Sequence, residues 1–124
     1  MAVKAFTLAA VFLAVFLSGC EQCSQDYSDP QYIDTTISPY HLAWRTTNTD
    51  LERVTWLNRT TAEAGTAVVE GPVYEVIFPF GYFWVMKISM DIPLADGENS
   101  IVTTSYDRGS SCGFFDEYRI TFIP

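Results

Sequence analysis

From about residue 31 onward, apolar and polar positions alternate in short runs rich in Val, Ile, Thr, Tyr, Phe and Trp. Turn residues separate the runs, and no stretch shows a long 3.6-residue apolar period. That pattern predicts an all-β domain. Strands are expected over residues 32–38 (closed by Pro39), 40–46, 53–58, 73–78, 82–92, 100–106 and 118–123. The polar stretch 47–50 reads as a turn, 60–66 with Ala64-Gly65 as a loop, and 108–117 as an expanded loop. Alternation puts Val54 and Trp56 on one face of their strand. On the strand over 82–92 it puts Trp84, Met86, Ile88, Met90 and Ile92 on a core face, opposite Phe83, Val85, Lys87, Ser89 and Asp91. Ile101, Thr103 and Ser105 are expected to point inward, as are Tyr118, Ile120 and Phe122. Ala95-Asp96-Gly97 carries a type I′ turn signal. About seven short strands joined by irregular turns suggest a sandwich.

Ahead of this domain, Lys4 precedes an uncharged apolar stretch over 5–17, and the small pair Ser18-Gly19 precedes Cys20. The segment reads as an export signal. The run Leu17-Ser18-Gly19-Cys20 resembles the lipobox of bacterial lipoproteins. The resemblance implies that the Cys20 thiol receives a diacylglyceryl group, that residues 1–19 are removed, and that the new amino terminus is acylated. More than one acyl chain gives stable attachment at roughly 0.8 kcal/mol per buried methylene. A plain secretory signal or an N-terminal membrane helix is the alternative, although the apolar run is shorter than the roughly 20 residues a span needs. The resulting organisation is a signal at 1–19, a polar, acidic tether at 20–30 and a domain at 31–124. Glu21 rather than Asp follows Cys20, which is unlike the inner-membrane retention signal of enteric bacteria and, if the source is Gram-negative, points to the outer rather than the inner membrane.

Charge narrows the partners. The whole chain carries a net charge of −8. Loss of Lys4 with the signal leaves Arg45, Arg53, Arg59, Lys87, Arg108 and Arg119 as the basic residues against 15 acidic ones. Nucleic acid needs clustered Lys and Arg, so it is not an expected partner. The expected contacts are the membrane, through the lipid, and an envelope protein or glycan. With Cys20 lipidated, Cys23 and Cys112 remain, and export to an oxidising compartment leads us to expect one disulfide between them. In the chain-entropy model, closing a loop of about 90 residues stabilises by roughly 4 to 5 kcal/mol.

Three segments resemble immunoglobulin-like modules of bacterial surface and exported proteins: Arg53-Val54-Thr55-Trp56-Leu57-Asn58, Ile92-Pro93-Leu94-Ala95-Asp96-Gly97-Glu98-Asn99-Ser100-Ile101, and Tyr106-Asp107-Arg108-Gly109. The likeness covers about residues 46–124 and implies an antiparallel immunoglobulin-like sandwich with Trp56 between its sheets. Gly97 can take positive φ, and Asn99 can bond the turn backbone. Three features depart from those modules. The stretch 65–94 is long, the loop holding Cys112 is expanded, and Cys23 precedes the first strand, so its bond to Cys112 is no inter-sheet staple.

Catalytic patterns are weak. The single histidine, His41, has no elbow-like Gly-x-Ser-x-Gly nucleophile to serve and reads as a strand-edge or core residue. The pairs Asp116-Glu117 and Asp96 with Glu98 read as acidic turns rather than a glycosidase dyad. Asp96, Glu98, Asn99 and Asp107 offer oxygen ligands without EF-hand spacing. Neither enzymatic activity, a metal nor a cofactor is expected, and Asn58-Arg59-Thr60 is read as an incidental glycosylation acceptor. The residues singled out for binding are Phe78, Phe80 and Tyr82, with Phe83 and Trp84, around the Pro79-Phe80-Gly81 bend. Alternation cannot bury all of these rings on one side of a sheet. A non-catalytic binding or structural module is the expected function. The alternative is an acidic lipoprotein inhibitor of a cationic enzyme such as lysozyme.

Overall fold

The computed structural model describes residues 29–124, in which eight strands occur and no helix. They are β1 (Gln31–Thr35), β2 (Tyr40–Thr46), β3 (Leu51–Asn58), β4 (Glu63–Thr66), β5 (Val68–Ile77), β6 (Gly81–Ile92), β7 (Gly97–Asp107) and β8 (Gly113–Phe122). One sheet has the order β1-β8-β7-β3-β4 and the other β2-β6-β5. All pairings are antiparallel except β1 with β8, which is parallel. The signal, Cys20, Cys23 and the tether up to residue 28 lie outside the described residues.

Alternation sets the core. Val54 and Trp56 from β3, Ile101 from β7 and Tyr118 and Ile120 from β8 meet Leu42 from β2 and Met86, Ile88, Met90 and Ile92 from β6. Burial pushes the Tyr118 phenol up to about 12, with the nearby Asp116 charge adding to the effect, so the ring stays neutral in the core. Trp44 stacks on Tyr118 at 6.4 Å between centroids, which ties β2 to the middle of β8. Thr103 also points inward, fully buried, and its Oγ1 has no hydrogen-bond partner. A buried hydroxyl left unpaired costs about 1 to 3 kcal/mol. Thr103→Val is therefore expected to leave stability unchanged or raise it by about 1 kcal/mol in urea unfolding, whereas a clear loss would mean that the hydroxyl bonds to something in solution.

Several expected boundaries move, each for a physical reason. The first strand stops at Thr35 rather than residue 38, because the Ile37 N–H turns back to Thr35 Oγ1 at 3.1 Å. The expected loop over 60–66 contains β4, whose Gly65 lies opposite Trp56 in the ladder. A Cβ at Gly65 would sit 2.8 Å from the indole, so the glycine is there to let the ring lie across the strand. The fifth strand starts at Val68 and continues through Gly71-Pro72 as a register shift, with Gly71 at φ 128°. The segment around Ala95-Asp96-Gly97 is not a hairpin turn. It carries the chain from β6 in one sheet to β7 in the other, with Gly97 at φ 84°. The last strand begins at Gly113, which shrinks the expected 108–117 loop to 108–112. Trp84 is exposed rather than part of the core.

One end of the sandwich is closed by two buried amides. Asn58 Nδ2 donates to Asn99 Oδ1 at 3.2 Å and to the Pro93 carbonyl at 3.0 Å, while Asn58 Oδ1 accepts from Thr60 N–H at 2.9 Å. The opposite end is where β2 stops, β3 starts and β7 turns into β8. There Asn48 Nδ2 donates to Asp107 Oδ1 at 2.8 Å, and Arg108 N–H donates to the Asp50 carbonyl at 2.8 Å. The described N-terminal segment joins β8 at its middle and runs parallel to it, with Gln31 opposite Tyr118 and so level with Ile101 and Asn58.

Candidate functional site: an overhanging aromatic hairpin

The β5–β6 hairpin outruns the sheet that faces it. The face of β6 that sends Met86, Ile88, Met90 and Ile92 into the core continues by alternation through Trp84 and Tyr82, yet both of these rings are exposed. Tyr74 stands opposite Trp84 and Val76 opposite Tyr82, so the same face of β5 contributes two more exposed apolar side chains. Tyr74 stacks on Tyr82 at 5.4 Å and 20° and meets Trp84 at 5.1 Å and 42°. The three rings form a continuous ladder of the kind that cross-strand aromatics stabilise. At the tip, Phe80 N–H donates to the Ile77 carbonyl at 2.7 Å and Gly81 takes φ 114°. This tight reversal projects Phe78, 89% exposed, and Phe80, 76% exposed, into solvent.

Charge marks where the hairpin leaves the body. On its other face Glu75 is paired with Lys87 and, at 2.9 Å, with Arg45 of β2. The hydrogen bond from Lys87, then that from Arg45, holds the Glu75 carboxyl below its ordinary value. Between Glu75 and Lys87 the sequence contains no charged residue. Beyond this cluster the hairpin is uncharged backbone and apolar or aromatic side chain.

Phe78, Phe80 and Tyr82 are thus all exposed at or beside the tip. Trp84 belongs with them, and Tyr74 and Val76 were missed. The alternation of Tyr74, Val76 and Phe78 against Glu75 and Ile77 was the available signal, but nothing local in it says that the facing sheet has already ended.

The other candidates are not assembled. His41 is exposed on β2 and bonds Asp91 at 2.9 Å. Asp116 and Glu117 are consecutive on β8 and so point to opposite faces, and Glu117 is taken by Arg59 at 2.7 Å and Arg119 at 3.1 Å. Asn99 is consumed by backbone groups, and Asp107 by Asn48. No group of three His, Cys, Asp or Glu residues is placed to hold a metal ion among the described residues. A shallow groove of about 630 Å³ on the outer face of the larger sheet runs over Leu57, Ala64, Val102, Thr104 and Phe115. Arg59, Glu117, Arg119 and Glu98 neutralise one another near one end of it. Cys112 lies in the turn before β8, its N–H donating to Ser110 Oγ at 3.1 Å, and its expected partner Cys23 is outside the described residues.

No protein-family model matches the chain. No curated protein matches it either.

Proposed function

We propose that this chain is a lipid-anchored, non-catalytic binding module of the cell envelope, with the exposed aromatic end of the β5–β6 hairpin as its contact surface. The carrying observation is that a core-facing sheet surface runs past its partner sheet and leaves Tyr74, Tyr82 and Trp84 stacked in solvent. Isolated exposed apolar residues are ordinary. Contiguous exposed aromatics mark interaction sites. An immunoglobulin-like architecture is part of this reading. It is supported by the strand order, in which β2-β6-β5 faces β3-β7-β8 with β4 and β1 added at the flanks, and by a large buried tryptophan on β3. The Cys23–Cys112 bond and outer-membrane placement belong to it as well, and rest on the sequence.

In a Cys20→Ser form that carries no lipid, replacing Phe80 and Tyr82 together by serine is expected to lower binding to isolated cell envelopes about tenfold, while stability stays within about 1 kcal/mol, as for surface changes. Unfolding of the double variant would show that the rings belong to the core, and unchanged binding would remove the hairpin as the contact surface.

The acidic balance favours a second reading, inhibition of a cationic enzyme such as lysozyme. Arg45, Arg59, Lys87 and Arg119 are paired with Glu75, Glu98 and Glu117, and Asp34, Glu52, Glu63, Glu70 and Asp96 are exposed. Binding of that kind weakens steeply with salt, whereas contact through the aromatic hairpin does not.

A further inference from the structure

We infer that the surface contacted by the aromatic hairpin is the bilayer that holds the protein's own lipid anchor, with Phe78 and Phe80 inserted among the lipid headgroups and upper acyl chains. The inference rests on the lipid-anchor reading of Cys20 and adds to it a second, protein-borne attachment.

Position carries the argument. Two features meet at one end of the sandwich, the hairpin tip and the turn that holds Cys112. The registers of β2 with β6, of β3 with β7 and of β7 with β8 place them there, and the Asn48–Asp107 bond ties the β2–β3 turn to the end of β7 at that level; the chain arrives at Gln31 beside Tyr118, five residues of β8 in from Gly113. From Met86, the last β6 position paired with β2, to Gly81 at the tip, five residues extend roughly 17 Å at about 3.3 Å each. A Cys23–Cys112 bond holds its Cα atoms roughly 6 Å apart. The three residue steps back to Cys20 add at most roughly 11 Å. The acylated residue therefore lies within reach of the plane of the hairpin tip. Without the disulfide, the eleven steps from Cys20 to Gln31 span up to roughly 38 Å when fully extended, against roughly 33 Å from Gln31 to that plane, five residues along β8 and five along the overhang at about 3.3 Å each.

Chemistry agrees with position. Trp and Tyr settle at membrane–water interfaces and Phe buries its apolar ring just below the headgroups, and the tip presents all three without a charge between Glu75 and Lys87. With six basic residues against 15 acidic ones, the mature chain would be repelled by an anionic lipid surface if its body lay against it. With roughly 5 to 10 Å of the tip buried in the interface, the roughly 17 Å overhang still holds the acidic body off by a distance comparable to the Debye length of about 8 Å at physiological ionic strength, which weakens that repulsion.

The test uses the mature protein purified from membranes, with its mass measured to establish acylation at Cys20. It is reconstituted into phosphatidylcholine vesicles with or without bromine on the upper acyl chain. Trp84 is read as the difference between the unaltered protein and Trp84→Phe, and the tip is read separately with Phe80→Trp, an exposed position where a ring replaces a ring. Emission from both positions should fall to roughly half or less in the brominated vesicles, more at position 80 than at 84, as depth predicts. Equal emission in the two vesicle types at both positions overturns the inference. If position 80 instead becomes shielded from aqueous acrylamide only when peptidoglycan or an envelope extract is added, the bilayer assignment fails and the contact-surface reading survives. A mature mass without acyl chains overturns the anchor and, with it, this inference.

Discussion

Trp56→Ala is expected to destabilise the domain by about 3 to 5 kcal/mol, read from the denaturation midpoint at constant slope. A domain of this size has about 5 to 15 kcal/mol in total, so the variant approaches unfolding at working temperature. The indole, 9% exposed, sits in the cluster that joins β3, β7 and β8 to β2 and β6. An aromatic of this size removes roughly 150 to 250 Å² from water, and its loss leaves a void that two paired sheets cannot collapse to fill. Gly65 supplies an internal check. Its Cβ position lies 2.8 Å from three indole atoms, so Gly65→Ala should cost about 1 to 3 kcal/mol with Trp56 present and much less in the Trp56→Ala background. Additive losses would show that the ring does not lie over the glycine, and a cost of Trp56→Ala below about 1 kcal/mol would remove the ring from the core altogether.

Asn99→Ala is expected to cost about 2 to 4 kcal/mol. The side chain is fully buried and bonds the passage from β6 to β7 at Ala95 and Gly97. Its Oδ1 accepts from Ala95 N–H at 2.9 Å, and its Nδ2 donates to the carbonyls of Ala95 at 2.8 Å, Gly97 at 3.0 Å and Ile120 at 3.2 Å. Asn58 also donates to Oδ1, so truncation strands groups in both chain reversals at that end. Asn99→Asp separates shape from hydrogen bonding. The carboxylate keeps the two acceptances, loses both N–H donors that the three carbonyls share and sets a charge among carbonyl oxygens. Its unfolding free energy should therefore drop further as pH rises through the carboxyl titration, because burial favours the protonated form. A variant as stable as the unaltered protein across pH would mean that the amide is not the clasp the geometry describes.

Much of the strand content was legible because it follows from local alternation. β2 appears over its expected span, and Met86, Ile88, Met90 and Ile92 are buried on one face of β6 as the period of two requires. Burial of Val54, Trp56, Ile101 and Ile120, and the use of Asn99 to bond the backbone of its turn, were readable for the same reason. β4 was not. Ala64-Gly65 has the composition of a breaker, and only the indole of Trp56 lying across the glycine makes that backbone a strand. The segment after Ile92 looked like a hairpin turn because turn chemistry is local, whereas the choice between returning to the same sheet and crossing to the other depends on which strand is already paired with β6.

The candidate site divides in the same way. An excess of aromatic rings around Pro79 and Gly81, and the absence of charge between Glu75 and Lys87, are properties of the sequence by itself, as is the acidity from which no polyanionic partner is expected. Where the facing sheet ends is not. Alternation assigns Trp84 and Tyr82 to the same face as Met86 and cannot say that β3 begins at Leu51, level with the end of β7 at Asp107, leaving the outer half of the hairpin uncovered. Sequence determined which side chains share a face, because that is set residue by residue by the pleat. The tertiary structure decided whether the face meets another layer or solvent, because the length of a sheet is matched or outrun only by strands distant in the chain.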